Sequence, residues 1–398
     1  MRRGLPDAMC WTRNDHLSAP RVCDSHVATQ PDLNGTDQEP EAQSPSASGA
    51  VSVSDCLEPL SAVSMFETEL LDLTIQTRDH GGDLDRAIQT YGAGPWLDLS
   101  TGINARPYPV PNMPNTVWSA LPTRSDIKSL EPTAKAAYGT EACVVALAGA
   151  QAAIQLIPRL VDSGRACIVG PTYNEHGAAL KAQGWTVEMI QNAANGAGAD
   201  LVTVVNPNNP DGRVWDNATL LELADQVGVL VIDESFIDCT HQPSLATQMD
   251  DARDDIIVLR SFGKFYGLAG IRLGFVITGA KTAQRLRELA GPWSVNGPAI
   301  AIGHAALRDK AWQTATRDRL EKDAQRLDDL ASVHGLRLVG GTPLFRTYNA
   351  EDAFKVQAAL AKKHMWTRVF PYSQTWIRFG LPGTESDWTR LQNALAFA

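Results

Sequence analysis

Between residues 142 and 278, short runs of β-branched and aliphatic residues alternate with segments whose apolar positions recur at helical spacing. The runs 142–146, 166–169, 201–205, 229–232, 255–259 and 273–278 predict strands. The intervening segments 151–161, 175–183 and 217–227 predict amphipathic helices. Such alternation marks a mostly parallel sheet flanked by helices, so the expected class is α/β. Beyond Gly291 the pattern changes to a long charged helix over 312–333, a strand over 336–339, a helix over 352–363 and strands around Val369 and Ile377. A second, smaller α/β domain is expected there.

Composition separates one region from this pattern. Residues 1–70 are rich in Ser, Pro, Gln and acidic residues and contain no Lys, which predicts a disordered extension. A translation start at Met65 is the other reading, and the sequence leaves both open.

Charge and cysteine usage narrow the function class. Lys and Arg number 35 against 45 Asp and Glu, a net charge of -10, so nothing draws the surface to nucleic acid or anionic lipid. The six cysteines form no C-x-x-C pair and no zinc spacing, which argues against a disulfide framework or a metal centre. The charge-free stretch 142–158 is interrupted by Gly149, Gln151 and Gln155 and falls short of the roughly 18 apolar residues of a membrane span. Basic residues at the start are followed by no apolar run, so no secretory signal is expected and the cytoplasm is the expected location.

Four loops at predicted strand ends, where open parallel sheets bind ligands, carry candidate chemistry. In Ala148-Gly149-Ala150-Gln151 a small-residue turn opens a helix, and its backbone N–H groups suit a phosphate. The segment Asn206-Pro207-Asn208-Asn209-Pro210-Asp211-Gly212 holds an amide rigidly between prolines. In Val231-Ile232-Asp233-Glu234 a carboxylate ends a buried strand and needs a partner, for which a protonated heterocycle nitrogen would serve. In Ser261-Phe262-Gly263-Lys264-Phe265-Tyr266-Gly267-Leu268-Ala269-Gly270-Ile271-Arg272 one lysine stands among small and aromatic residues, where desolvation makes it a nucleophile. Ser261 and Arg272 flank it as phosphate ligands.

Taken together and in this order, the four segments resemble the fold-type I pyridoxal-phosphate enzymes, the aminotransferase class I/II superfamily, over roughly residues 95–398. The resemblance implies pyridoxal 5'-phosphate as cofactor, with Lys264 as the lysine that carries it and Asp233 beside the ring nitrogen. Asn209 would meet the ring's 3-hydroxyl and Tyr173 would stack on the ring. Ser261, Arg272 and the N–H groups of Ala150 and Gln151 would hold the phosphate. Arg378 is similar to the family's substrate-carboxylate arginine. The implied plan is an N-terminal arm over 71–118 that contributes to the small domain and the active site, a large cofactor-binding domain over 119–290, and a small domain over 291–398.

His80-Gly81-Gly82, the run from Asp98 to Asn104, and Asp233-Glu234-Ser235-Phe236-Ile237-Asp238 look like the threonine-phosphate decarboxylase branch of that superfamily. The branch implies a phosphorylated amino acid substrate and a homodimer, with His80 on the substrate phosphate; Arg346 is a second candidate cation for it, and Asn104 and Arg378 complete the expected substrate side. Departures are Phe236 for a common Tyr, Asp211 for Thr, and Leu121-Pro122 for Tyr-Pro. The competing readings are a histidinol-phosphate type aminotransferase and a transcription regulator. The latter needs a basic DNA-binding module, whereas residues 1–70 are acidic.

Overall fold

The computed structural model describes residues 80–396. The expected extension over 1–70, the Met65 start and the first part of the 71–118 arm lie outside the described residues.

The expected strands form one seven-stranded sheet. In chain order they are β1 (Cys143–Leu147), β2 (Arg165–Val169), β3 (Thr186–Ile190), β4 (Leu201–Val205), β5 (Val229–Asp233), β6 (Ile256–Ser261) and β7 (Gly274–Thr278). The spatial order is β1-β7-β6-β5-β4-β2-β3. β4, β5 and β7 are buried at every position, because helices cover both faces. β3 escaped the sequence reading for a physical reason: it is the edge strand, and its Thr-Val-Glu-Met-Ile sequence is largely solvated.

Only β7 runs against its neighbours, pairing antiparallel with both β1 and β6. Gly274 is therefore opposite Leu147 on one side and Ser261 on the other. A Cβ at Gly274 would sit 2.4 Å from the Ala150 nitrogen, so only glycine lets the three strand ends close up. Every loop singled out in the sequence leaves this one edge of the sheet.

The helix Arg124–Tyr138, begun by a Thr123–Asp126 capping box, covers part of the sheet and packs on the helix Gly297–Arg308, where Gly303 faces Leu130. The smaller sheet is antiparallel throughout, in the order Arg368–Phe370, Ser373–Gly380, Phe345–Asn349, Arg337–Thr342. Its core is aromatic, with Trp388, Tyr348, Phe345 and Phe379 almost fully buried. Residues Leu97–Asp98 pair with Met365–Trp366, which ties the N-terminal arm to this part of the chain.

Candidate active site

The segment that bears Lys264 is locked before any ligand is considered. Phe262 and Phe265 are buried on either side of it, and Tyr266 stacks on Phe262 at 4.1 Å and on Trp312 at 5.6 Å. Each buried ring contributes about 2–3 kcal/mol of transfer free energy. The sequence pattern suggested a plain strand-to-strand turn here; a four-residue helix, Phe262–Phe265, forms instead. The Lys264 carbonyl accepts from the Asn104 N–H at 3.0 Å and from the Gly267 N–H at 3.2 Å.

A cavity of about 140 Å³ opens above this floor, lined by Gly149, Ala150, Gln151, Tyr173, Asn209, Asp233, Ser261, Lys264 and Arg272 among others. The structure thus gathers eight of the predicted residues around one space. Burial, reinforced by the positive charges of Arg378, Arg272 and Arg368, pulls the Lys264 ammonium down to about 8 against the opposing pull of Asp233. At that value roughly a tenth of the amine is neutral and nucleophilic at pH 7, far more than for an exposed lysine. Phe236, the departure from the common Tyr, lies 5.6 Å below Nζ and offers a ring face rather than a hydroxyl.

Asp233 is buried at the end of β5. Burial alone would raise its carboxyl; the hydrogen bond and charge of His176 at 2.9 Å and the donors of Ser235 outweigh it and hold the group below the usual carboxylate range. An ionised carboxylate in a buried place suits a protonated heterocycle nitrogen. His176 was missed by sequence reasoning; the one signal is its position three residues after Tyr173 at the start of a helix.

The phosphate end of the cavity fits its predicted ligands. Gly149 has φ 84°, and a Cβ there would lie 2.9 Å from Arg272 Nη2, so the guanidinium rests on bare backbone. Ala150 and Gln151 begin the helix Ala150–Leu156, where N–H groups have no intrahelical partner. Arg272 itself has φ 53°, a left-handed conformation rare outside glycine. The cradle and donor set suit a phosphate group attached to a heterocycle.

The substrate side departs from expectation at two residues. Arg346 is turned away: Nε and Nη2 donate to Asp328 at 2.9 and 2.6 Å, and Tyr348 binds the same carboxylate. Asn104 is buried and does not line the cavity; its amide donates to the Phe265 carbonyl and its oxygen accepts from Arg106 and Arg319. It steadies the lysine segment instead. Arg378 is buried beside the cavity, with Nη1 donating to Asn209 Oδ1 at 2.5 Å and Nη2 to the Ser100 carbonyl at 2.6 Å. His80 lies at a second cavity of about 80 Å³ that it shares with Arg86, Ser100 and Arg368. Neither of those two arginines carries a motif that would have marked it in the sequence.

A profile of the aminotransferase class I and II family matches residues 125–395. The chain belongs to the aminotransferase class I and II family. Within it, the chain is 42% identical over 326 residues to a threonine-phosphate decarboxylase of Pseudomonas aeruginosa, covering 80% of this chain and 97% of that protein. A threonine-phosphate decarboxylase of a Sinorhizobium species is 40% identical over the same shares of the two chains. Among solved structures, the histidinol-phosphate aminotransferase of Sinorhizobium meliloti in complex with pyridoxal 5'-phosphate aligns with TM-score 0.66 at 18% identity, over 81% of this chain and 95% of that one. That likeness shows the aminotransferase fold. Among the described residues no helix is long and apolar enough to cross a membrane, and no cluster of His, Cys, Asp and Glu could hold a metal ion.

Proposed function

We propose that the chain is a pyridoxal 5'-phosphate-dependent carboxy-lyase that converts L-threonine O-3-phosphate to (R)-1-amino-2-propanol O-2-phosphate. The observation that carries this reading is the 40–42% identity, over nearly their whole length, to proteins named threonine-phosphate decarboxylase. The cavity supplies what the reaction needs. When bound, the cofactor provides an electron sink for the pair left on Cα as carbon dioxide departs.

The chain's own residues do the rest. Lys264 would hold the cofactor, and its Nζ is the group that would deliver a proton to Cα, so that a C–COO bond is replaced by C–H. Asp233, kept anionic by His176 and Ser235, would balance a positive ring nitrogen. Arg378, with its Nη atoms fixed by Asn209 and Ser100, orients the substrate carboxylate. His80, Arg86 and Arg368 line the place for the substrate phosphate, with the two arginines as its cations. A homodimer, a cytoplasmic location and a place in assembling the corrinoid side chain belong to the same proposal.

The test is one incubation of cofactor-loaded protein with L-threonine O-3-phosphate and no keto acid. Carbon dioxide released over many turnovers, with the cofactor spectrum restored, is the expected result. One stoichiometric conversion to pyridoxamine phosphate and a keto product would sink the reading in favour of an aminotransferase.

A further inference from the structure

The helix Asn174–Ala182 sends two neighbouring side chains to different duties. His176 reaches Asp233; Glu175, only 5% exposed, reaches elsewhere. Among the described residues its carboxylate meets two distant segments. Oε2 accepts from Gln151 Nε2 at 2.9 Å, and Oε1 faces His80 Nε2 at 3.1 Å. An acidic residue in a first helical turn is favourable on its own. That preference accounts neither for the burial nor for the split, and a buried carboxylate is costly unless its partners are well placed.

The bond from Gln151 also fixes which way that amide points. With Nε2 on the carboxylate, Oε1 is turned to the Tyr173 hydroxyl at 3.3 Å. His80 in turn packs against the Tyr173 ring, centroids 6.0 Å apart. Glu175, Gln151, Tyr173 and His80 therefore form a closed circuit between the cofactor-facing turn and the arm. The arm is held from its other side as well. The Gly82 N–H donates to Ser100 Oγ at 2.7 Å, and a Cβ on Gly81 would lie 2.3 Å from the Ser100 carbonyl oxygen and 3.5 Å from Arg378 Nη2. Only a bare backbone passes so close to the Ser100 carbonyl, which itself accepts from the arginine assigned to the substrate carboxylate.

We propose that Glu175 is a positioning residue that sets selectivity for a phosphorylated substrate by holding His80 at the cavity shared with Arg86 and Arg368. This rests on the substrate reading given above. His80 is half-exposed, and an unheld half-exposed imidazole spends its time in solvent. The buried carboxylate lies 3.1 Å from Nε2 and, unlike the imidazole, does not line that cavity, so its charge acts on the phosphate through His80.

The experiment compares holoenzyme forms on L-threonine O-3-phosphate and unphosphorylated L-threonine. In the wild type kcat/KM favours the phosphorylated compound. Glu175→Gln, which keeps the size but removes the charge that faces His80, lowers that preference about tenfold through KM, with the cofactor absorption spectrum unchanged. His80→Asn has a similar effect, and the double variant loses no more than either single, because both act through one contact. A preference in Glu175→Gln that is unchanged or increased overturns the proposal, as do fully additive losses or a loss of cofactor affinity alone. A wild type without any preference would sink the substrate reading itself, and this inference with it.

Discussion

The cavity around Lys264, here the floor, and the second cavity at His80, here the rim, are built on different principles. The floor, with Lys264, Asp233, Ser261 and the Gly149 turn, stands on the ends of paired strands, and its side chains are held by buried partners. The rim, with His80, Arg86 and Arg368, is gathered from the N-terminal arm and the small antiparallel sheet. The floor is thus fixed by the fold's core, whereas the rim depends on contacts between segments far apart in sequence. The first arrangement suits chemistry that tolerates little movement; the second suits a choice of substrate, which can be altered without disturbing the core.

The sharpest break of this contrast is at Lys264. Lys264→Ala removes the group that carries the cofactor and protonates Cα, and kcat is expected to fall by about 10³–10⁶-fold. Single-turnover and steady-state rates on L-threonine O-3-phosphate check it; a loss under tenfold would remove Lys264 from the chemistry. At the rim, Arg368→Ala is expected to raise KM for the phosphorylated substrate by about 10–100-fold, with kcat within a few-fold of wild type. Initial-rate kinetics decide this, and a fall in kcat with KM constant would move Arg368 from rim to floor.

A smaller effect concerns stability without cofactor. Lys264 binds its proton less readily folded, with its pKa about 8, than unfolded, near 10.5. The unfolded chain therefore binds more protons between those values, so stability rises with pH across that window, and below about 8 the full penalty stands. The apo Lys264→Met protein is expected to exceed the apo wild type by about 2–3 kcal/mol at pH 7, with the advantage shrinking between pH 8 and 10.5. Paired thermal melts measure it, and a pH-independent difference would contradict the assignment. For Arg346, the bidentate bond to Asp328 leads to a different expectation: Arg346→Ala lowers stability by about 1–3 kcal/mol and leaves KM alone, read by the same two assays.

What was legible in the sequence follows the same division. Lys264, Ser261, Arg272, Asp233 and Asn209 each lie in a contiguous strand-end motif, where local composition reveals the environment. The β4 boundaries 201–205 were readable to the residue because every position is buried. His176, Glu175, Arg86 and Arg368 are single polar residues whose meaning comes from a partner in another segment, so no window of sequence contains it. Arg346 misled for the same reason. An arginine beside a Pro-Leu-Phe turn looks like a ligand until the helix Lys310–Val333 brings Asp328 to it. Asn104, expected on the substrate side, instead gives its side-chain amide to the Phe265 carbonyl and its backbone N–H to the Lys264 carbonyl.

The antiparallel course of β7 has a mechanical consequence. A chain that climbs β6, crosses the lysine segment and descends β7 returns to the edge it left, with Ser261 opposite Gly274. The hydroxyl, the amine and the guanidinium are therefore carried on one rigid cassette clamped at both feet by the same ladder. A displacement of that ladder would carry the three groups together and change their aim toward Asp233 before it changed their mutual spacing.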